Sequence, residues 1–392
     1  MLFVELVLLG LAIAGHGVFW VALVNRVHSI GWPQWFIDVL SIVCWVLCLA
    51  IPLLAFAAHA SGIEAMLPLS DVNGYLLVYL SGCWLMVVAA IIHRIADNRR
   101  SDRSSVLLSN HTRKVDVVEV LGHRPVGDFA TGLLTRLPGN EVLRIHIQNK
   151  ALSIPRLDPA LDGLTIAHIS DLHLSGRIEE AYFREVFRLA NEAQADFVAV
   201  TGDLFDDERC IDWGIDVLSE LEGRYGVYFI LGNHDLRVDS RRVRRLLAER
   251  GLTDLGGRWQ EITARGQSVI LAGNELPWFK PAADMQGCPS RDAATSQLRL
   301  LLSHAPDQLT WARRFDFDLM LAGHTHGGQI RLPLLGPIVS PSRLGTQYAS
   351  GTFEREPTVL HVSRGTSSFM PLRWNCPPEL AVLELRSGRS RR

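Results

Sequence analysis

The chain has 392 residues, which is enough for one large domain or two smaller ones with an ample core. Its 39 Lys and Arg residues nearly balance its 41 Asp and Glu residues, so the overall charge does not indicate a nucleic acid partner. Its six cysteines include no Cys-x-x-Cys pair, so the sequence has no sign of a thiolate zinc site or a dithiol redox motif.

Three long apolar stretches occupy the first hundred residues, and each has about 20 residues, which is enough to cross a bilayer. They cover residues 2–24, 35–58 and 75–92, and the only charged side chains inside them are those of Glu5 and Asp38. The N-terminus lacks the basic leading segment and the cleavage site of a signal peptide, so we expect it to stay attached. The sequence therefore predicts a membrane domain over residues 1–96, with buried helices of a soluble core as the alternative.

The cationic residues beside these stretches predict how the chain is oriented in the membrane. Arg26 lies in the first connection, whereas the second connection, residues 59–74, has no Lys or Arg. The third stretch is followed by Arg94, Arg99, Arg100 and Arg103. Because positive residues favour the cytoplasmic side, we expect the second connection outside and everything after Ile95 in the cytoplasm.

The next segment, residues 97–139, has no sustained hydrophobic period, and we predict a linker with one short strand around residues 115–120. From Leu143 onward, apolar and polar residues alternate, which predicts a half-exposed strand at the start of a globular domain. We therefore place that domain at residues 140–386 and a short basic tail at residues 387–392.

Short apolar runs bounded by turns recur in the globular domain, and such runs are typical of buried strands. They cover residues 164–169, 197–200, 227–231, 268–272, 298–302 and 318–322. Between the first two runs, apolar residues recur at helical spacing over residues 179–193, which predicts an amphipathic helix. Strands that alternate with helices indicate a layered α/β domain.

Chemically active side chains follow directly after five of these six predicted strands. They are, in chain order, Asp171 and His173, then Asp203, then Asn233 and His234, then His304, and finally His324 and His326. Sites in open α/β sheets form outside the carboxyl ends of the strands, so these residues would converge on one place. Taken singly, each residue could have a structural role instead of a role in a site, because a strand-end Asp often caps a helix and a lone His often packs in a core.

The chemistry of these side chains is that of a metal site. Two carboxylates, one amide and four imidazoles, without a thiolate, suit Mn, Fe, Zn or Mg. Seven side chains are more than one ion needs, but they supply four ligands to each of two ions if one carboxylate bridges.

The order of the motifs, D-x-H, G-D, G-N-H-D, H and G-H-x-H, resembles that of the calcineurin-like metallophosphoesterase superfamily. The strings around these residues, and the later Pro371-Leu372-Arg373, look like its membrane-tethered bacterial branch. The resemblance implies a four-layer α/β/β/α sandwich with two divalent metal ions at its rim.

The same resemblance implies a role for each motif residue. The first ion would be held by Asp171, His173 and His326, the second by Asn233, His304 and His324, and Asp203 would bridge the two ions. His234 would bind neither ion and would stabilise phosphoryl charge or protonate the departing oxygen. Together with His234, Asp203 and Asn233 are the expected catalytic residues.

One loop of the domain departs from the family pattern. Residues 273–279 stand where many relatives have a shorter acidic turn. Trp278 and Phe279 in this loop would either pack inside or line an apolar substrate groove, and packing is the simpler expectation.

The sequence therefore predicts an enzyme that hydrolyses a phosphodiester, a pyrophosphate or a phosphomonoester by attack of a hydroxide held between two metal ions. A membrane anchor favours a lipid-linked substrate, and the resembling enzymes include some that cleave UDP-2,3-diacylglucosamine. On this interpretation the chain is an integral protein of a bacterial inner membrane with its catalytic domain in the cytoplasm. Soluble nucleotides are the alternative substrates. The alternative function from a different class is a membrane sensor that binds phosphorylated ligands without catalysis.

Overall fold

The computed structural model of the protein describes residues 2–60, 72–101, 105–291, 297–333 and 335–388. The chain divides by its contacts into two compact units, Met1–Arg103 and Ser104–Arg392. Most of the second predicted connection, residues 59–74, lies outside the described residues, and so do residues 389–392 of the predicted basic tail. Each unit has buried apolar clusters of its own.

The N-terminal unit is helical. It contains α1 (Leu2–His28), α2 (Gln34–Ala60) and α3 (Val72–Ser101). α1 and α2 include stretches long and apolar enough to cross a membrane, Val7–His28 and Trp35–Leu54, whereas the apolar stretch of α3 is the shorter Leu77–Ile92. All three predicted apolar segments therefore form helices, and a third membrane crossing by residues 75–92 stays a prediction.

Small and polar groups contribute to the contacts among these helices. A Cβ atom at Gly15 would collide with the backbone of Cys83, so α1 and α3 can approach this closely because residue 15 is glycine. His16 Nε2 donates a hydrogen bond to the carbonyl oxygen of Cys48 over 2.9 Å, and Tyr79 Oη donates one to His16 Nδ1 over 2.5 Å. These bonds join α1 to α2 and α3 and satisfy a polar side chain among apolar helices.

The second unit is a mixed α/β domain. Its helices are α4 (Val117–Leu121), α5 (Phe129–Leu134), α6 (Glu180–Asn191), α7 (Ile211–Leu218), α8 (Ser240–Glu249) and α9 (Leu309–Arg314). Its strands are β1 (Leu107–Asp116), β2 (Arg144–Ile154), β3 (Leu164–Ile169), β4 (Phe197–Thr201), β5 (Val227–Ile230), β6 (Thr253–Asp254), β7 (Trp259–Ala264), β8 (Gln267–Asn274), β9 (Leu298–Ser303), β10 (Leu319–Ala322), β11 (Arg331–Leu332), β12 (Gly336–Pro337), β13 (Gly351–Arg355), β14 (Thr358–Val362) and β15 (Glu379–Ser387). The six predicted buried strands are confirmed as β3, β4, β5, β8, β9 and β10, and the predicted helix is α6.

Two sheets dominate the domain. The larger has seven strands in the order β1-β2-β15-β3-β4-β5-β6, and the smaller has six in the order β13-β14-β10-β9-β8-β7. β3, β4 and β5 run parallel in the larger sheet, and β8, β9 and β10 run parallel in the smaller one. Within each sheet, the carboxyl ends of these parallel strands therefore lie at one edge.

Alternate residues of the inner strands pack into different cores, because side chains alternate between the faces of a sheet. In β4, Phe197 belongs to the core between the two sheets, whereas Val198 packs with residues of α6, α7 and α8. In β10, Leu319 belongs to the core between the sheets, whereas Met320 packs with residues of α9. The predicted four-layer α/β/β/α sandwich is confirmed.

The structure differs from the predicted linker over residues 105–139. The short strand expected at residues 115–120 is instead the longer β1, which ends at Asp116 and is followed by α4 and α5. Most side chains of β1 are exposed, and its backbone pairs with β2 at the edge of the larger sheet. Hydrophobic periodicity does not reveal such a strand, because backbone hydrogen bonds rather than burial hold it. Asp116 ends the strand by capping α4, since its Oδ1 accepts a hydrogen bond from Val118 N over 3.1 Å.

Candidate metal centre

The carboxyl ends of β3, β4, β5, β9 and β10 bring the predicted site residues together. Asp171, His173, Asp203 and His326 form one group whose potential ligand atoms lie within 4.8 Å of one another, and Asp203, His304 and His324 form a second. Asn233 joins the second group, because its Oδ1 lies 3.2 Å from His304 Nε2. The seven predicted ligands thus form two groups that share Asp203.

In the first group, imidazole nitrogens and carboxylate oxygens converge. His173 Nε2 lies 3.1 Å from His326 Nε2 and 3.6 Å from Asp203 Oδ2. His326 Nε2 lies 3.7 Å from Asp171 Oδ1. Atoms that bind one ion at about 2.0–2.2 Å are separated from one another by distances of this order. Two imidazoles and two carboxylates therefore fit a divalent cation.

The second group is packed as tightly. His304 Nε2 lies 3.2 Å from Asp203 Oδ1, and the ring centres of His304 and His324 are 4.9 Å apart. A Cβ atom at Gly232 would lie 2.6 Å from His304 Nε2, so only glycine leaves room for this imidazole. The donor set of two imidazoles, one amide and one carboxylate again fits a divalent cation.

Asp203 connects the two groups through its two oxygens. Oδ2 faces His173 of the first group, whereas Oδ1 faces His304 of the second. Oδ1 also accepts a hydrogen bond from the backbone nitrogen of His234 over 2.8 Å, which holds the carboxylate in this orientation. A carboxylate placed in this way can bridge two ions.

Five of the predicted ligands have a strained backbone. Asp171, His173, Asp203, His324 and His326 have φ angles between 50° and 68°. Residues other than glycine rarely adopt this left-handed region, at a cost of about 1–3 kcal/mol each. These are five of the ten non-glycine residues with positive φ in the described part of the chain. Strain concentrated in this way indicates that the surrounding structure imposes the ligand geometry for a function.

His234 stands outside both groups and is oriented by Asp206. The ring of His234 packs edge-on against His173, with centroids 4.5 Å apart, and its Nδ1 donates a short hydrogen bond to Asp206 Oδ1. Asp206 Oδ2 accepts a second hydrogen bond from His173 Nδ1 over 3.0 Å. Although these three residues also lie close enough to hold an ion, the carboxylate holds both Nδ1 protons, so we interpret Asp206 as an orienting residue.

The sequence did not reveal the role of Asp206 or of Arg373. The only signal for Asp206 is its place three residues after Asp203, at the end of the same strand. Arg373 comes from a distant loop and is fully buried. It donates hydrogen bonds to the carbonyl oxygens of His326 and Arg364 over 3.2 and 2.7 Å, and its Nη2 lies 3.2 Å from His326 Nδ1. Arg373 therefore positions the turn that carries His326.

Burial and neighbouring charges shift the pKa values of the site residues. Burial raises the pKa of Asp171. Burial also opposes ionisation of Asp203, but the imidazoles of His304 and His234 hold its pKa well below the usual range. Burial opposes protonation of His304, but the carboxylate of Asp203 raises its pKa to about 9. The proton on His304 provides positive charge next to Asp203, and a metal ion would provide that charge when it displaces the proton.

The loop that departs from the family pattern packs against the site. The ring centre of Trp278 lies 5.3 Å from that of His304 and 4.8 Å from that of His324. Phe279 packs against the hydrophobic core, and the guanidinium carbon of Arg244 lies 5.2 Å from its ring centre. Packing is confirmed for Phe279, and Trp278 packs on two predicted ligands.

A second set of buried polar residues lies close to the metal centre. It consists of Lys150, His168, His361, Arg364 and Glu379, and we call it the inter-sheet cluster. Glu379 accepts hydrogen bonds from Lys150 Nζ over 2.5 Å and from Arg364 Nε over 3.0 Å. The charge of this carboxylate is therefore compensated inside the protein.

A chain of hydrogen bonds runs from the inter-sheet cluster towards the metal centre. Lys150 Nζ donates to His361 Nε2 over 3.0 Å, so His361 Nδ1 donates to His168 Nδ1, also over 3.0 Å. His168 Nε2 then donates to Thr201 Oγ1 over 2.9 Å. The carbonyl oxygen of Thr201 accepts from His304 Nδ1 over 2.8 Å, which leaves His304 Nε2 facing the second group.

Comparison with known proteins identifies similar chains. The family model of calcineurin-like phosphoesterases matches residues 164–328, a range that includes all seven predicted ligands. The chain is 32% identical over 274 residues to the metallophosphoesterase YkuE of Bacillus subtilis, an alignment that covers 67% of this chain and 94% of that protein. It is also 32% identical over 225 residues to the phosphodiesterase YaeI of Escherichia coli, covering 56% and 81%. A transmembrane protein with a metallophosphoesterase domain from Bos taurus is 29% identical over 257 residues, covering 60% of this chain and 56% of that protein.

Proposed function

The chain belongs to the calcineurin-like phosphoesterase family and is a metal-dependent phosphoester hydrolase, and from this premise we propose that it cleaves a phosphodiester or a pyrophosphate at a centre of two divalent metal ions. The observation that carries this proposal is the position of Asp203, whose two oxygens face different groups of ligands. One ion would be held by Asp171, His173 and His326 and the other by Asn233, His304 and His324, with Asp203 common to both. Mn, Fe, Zn or Mg suits this donor set.

The chain's own residues prepare the phosphoryl group for hydrolysis. Bound metal ions would supply Lewis acidity at the phosphoryl oxygens and would lower the pKa of water. His234 lies next to the ligands without joining them, and 14% of its side chain is exposed. Because Asp206 accepts the Nδ1 proton, Nε2 of His234 is directed away from Asp206, and when the ring also carries a proton on Nε2, that nitrogen can protonate the departing oxygen or stabilise phosphoryl charge.

The second part of the proposal is a membrane anchor and a lipid-linked substrate, such as UDP-2,3-diacylglucosamine. Two apolar helices of spanning length and the transmembrane relative from Bos taurus support the anchor. The positive residues after the third apolar stretch support a catalytic unit on the cytoplasmic side of a bacterial inner membrane. The name of the E. coli relative, a phosphodiesterase, favours a diester over a monoester.

Turnover of bis(4-nitrophenyl) phosphate by the detergent-solubilised full chain tests the hydrolase. We expect activity to disappear on chelation and to return with Mn, Fe, Zn or Mg. The change Asp203→Asn should lower turnover by about a thousandfold or more, because a shared ligand is lost. The matched change Asp212→Asn, at a carboxylate whose side chain is 81% exposed, should leave turnover unchanged. Full activity in the Asp203→Asn protein would refute the proposed site.

A substrate screen tests the lipid part of the proposal. The full chain in mixed micelles should cleave lipid-linked phosphodiesters and pyrophosphates better than soluble nucleotides at equal concentration. The opposite preference would make the enzyme a nucleotide phosphodiesterase. Binding of phosphorylated ligands without turnover under any of the four metals would favour a sensor.

A further inference from the structure

We propose that the surface around the metal centre docks onto the headgroup region of a lipid bilayer. We call this surface the apolar rim, and it consists of Phe129, Leu133, Phe369, Met370 and Trp374. The inference rests on the proposed function, because the membrane anchor of the same chain would bring a bilayer within reach. It goes further by assigning a membrane contact to the catalytic unit itself.

The rim exposes large apolar side chains that have no role in the core. Phe129 and Leu133 lie on α5 with 86% and 59% of their surfaces exposed, whereas Thr131 and Gly132 of the same helix are buried. The short helix therefore presents an apolar face outward. A surface with several such side chains in one place indicates contact with a membrane or a partner.

Hydrogen bonds join the parts of the rim into one surface. Asn140 Nδ2 donates to the carbonyl oxygens of Leu134 and Pro371, both over 2.9 Å, which ties the end of α5 to the loop that carries Met370 and Trp374. Gln329 Nε2 donates to the carbonyl oxygen of Met370 over 2.7 Å. The loop is thereby tied to the segment directly after the predicted ligand His326.

The rim also borders the catalytic groups. The ring centres of Phe369 and His234 lie 5.5 Å apart. A cavity of ≈ 590 Å³ is lined by Asp128 at the start of α5, by Phe369 and by Asp206. A protein bound stably to this surface would cover the site, whereas a bilayer surface would present phosphorylated headgroups to it.

The charges beside the rim favour an anionic lipid surface. The guanidinium carbons of Arg177 and Arg237 lie 4.6 and 4.7 Å from the ring centre of Phe369, and Arg136 is exposed just after α5. The nearby carboxylate of Asp128 accepts from Thr131 N over 2.8 Å and so caps α5. Aromatic and aliphatic side chains flanked by arginines are typical of protein surfaces that lie in the headgroup region.

Photolabelling of the full chain in nanodiscs tests the contact directly. The nanodiscs would contain phosphatidylethanolamine, phosphatidylglycerol and a phospholipid with a diazirine near its headgroup, and labelled peptides would be mapped by mass spectrometry. We expect labels at residues 129–137 and 369–374 in addition to α1 and α2. Labels confined to the N-terminal helices would overturn the proposal, and so would chain-to-chain cross-links at the rim, which would assign the surface to a second copy.

Charge substitutions provide the matched comparison. The double change Phe129→Glu with Leu133→Glu should lower labelling of residues 129–137 by about tenfold or more, because two apolar contacts with the lipid are replaced by carboxylates. The control is Leu108→Glu, whose side chain is 56% exposed and lies at the start of β1, at the opposite end of the sheet from the metal centre. Equal labelling of the double variant and the control would refute the contact.

Turnover separates this inference from the proposed function. Phe129 and Leu133 are exposed on α5 and belong to neither ligand group, so the double variant should cleave bis(4-nitrophenyl) phosphate like the unmodified chain while it loses activity on a vesicle-embedded phosphodiester. Turnover without labels at the rim would refute the docking surface alone. Labels at the rim without any turnover would refute the hydrolase and support the docking surface.

Discussion

The metal centre and the inter-sheet cluster contain the same kinds of buried residue, but their charges are arranged in opposite ways. Burial opposes ionisation of Glu379 in the inter-sheet cluster, yet Lys150 and Arg364 hold its pKa far below its ordinary value. In the metal centre, two carboxylates converge with imidazoles, and the ion pairs of Asp171 and Asp203 among the described residues are with histidines. A buried charge with an internal counterion supports the fold, whereas convergent ligands on strained backbone require a cation from outside.

The strongest test of this contrast is to replace one histidine in each of the two ligand groups. His324→Ala and His326→Ala should each lower turnover by about 10⁴-fold, because either change removes a ligand of one ion. With Mn bound, each variant should lose the exchange-coupled electron paramagnetic resonance signal of a metal pair. The control is His111→Ala, an exposed position on β1. A coupled signal that survives in both variants would contradict the assignment.

A substitution in the inter-sheet cluster should instead lower the stability of the folded protein. Glu379→Gln leaves Lys150 and Arg364 buried without their anion, so the free energy of unfolding should fall by about 3–5 kcal/mol. Glu384→Gln, on the same strand, breaks a partly exposed pair with Arg386 and should cost less than about 1 kcal/mol. Urea unfolding of the full chain in detergent measures both. If Glu379→Gln reduced turnover of the folded enzyme as much as a ligand change, the contrast would be wrong.

A change at Asp206 should lower turnover or metal affinity, but by less than the loss of a metal ligand lowers turnover. Asp206→Asn removes the carboxylate that holds His173 and His234, so metal affinity or turnover should fall by about 10–100-fold. The adjacent Asp207→Asn should have no such effect, because Asp207 pairs with the exposed Arg209. Metal titrations followed by turnover separate an effect on affinity from an effect on rate. Identical behaviour of the two variants would remove Asp206 from the site.

The smallest expected effect is in the pH dependence of stability. Burial lowers the pKa of His168 from 6.5 to about 3, so between these values the unfolded chain binds a proton that the folded chain does not. The stabilising contribution is therefore complete above about pH 6.5 and is lost as the pH falls towards 3. His168→Gln should reduce the slope of unfolding free energy against pH by about 1.4 kcal/mol per unit near pH 5. Urea unfolding at pH 5, 6 and 7 checks this, and equal slopes would show that His168 is protonated in the fold.

The structure or role of a residue could be predicted from the sequence where it follows from the residues next to it in the chain. It could not be predicted where it depends on contacts with distant segments. The apolar runs that became β3 to β5 and β8 to β10 were evident because both faces of these strands are buried. Most of β1 was missed, and only its end overlaps the short strand predicted at residues 115–120, because it is an edge strand whose side chains are mostly exposed. Asp206 resembled an ordinary loop carboxylate, and Arg373 lies 47 residues from the His326 turn that it holds.

The sequence by itself determined which residues can bind metal, because their types and their positions after buried strands follow from local patterns. The division into two groups that share Asp203 was expected only from the family resemblance, and it depends on the tertiary structure, since it requires the ends of both sheets to meet. The same holds for the inter-sheet cluster and the apolar rim. Lys150 and Glu379 are 229 residues apart, and the residues of the rim come from two separate segments. No local pattern encodes such neighbours, because packing of the whole chain brings them together.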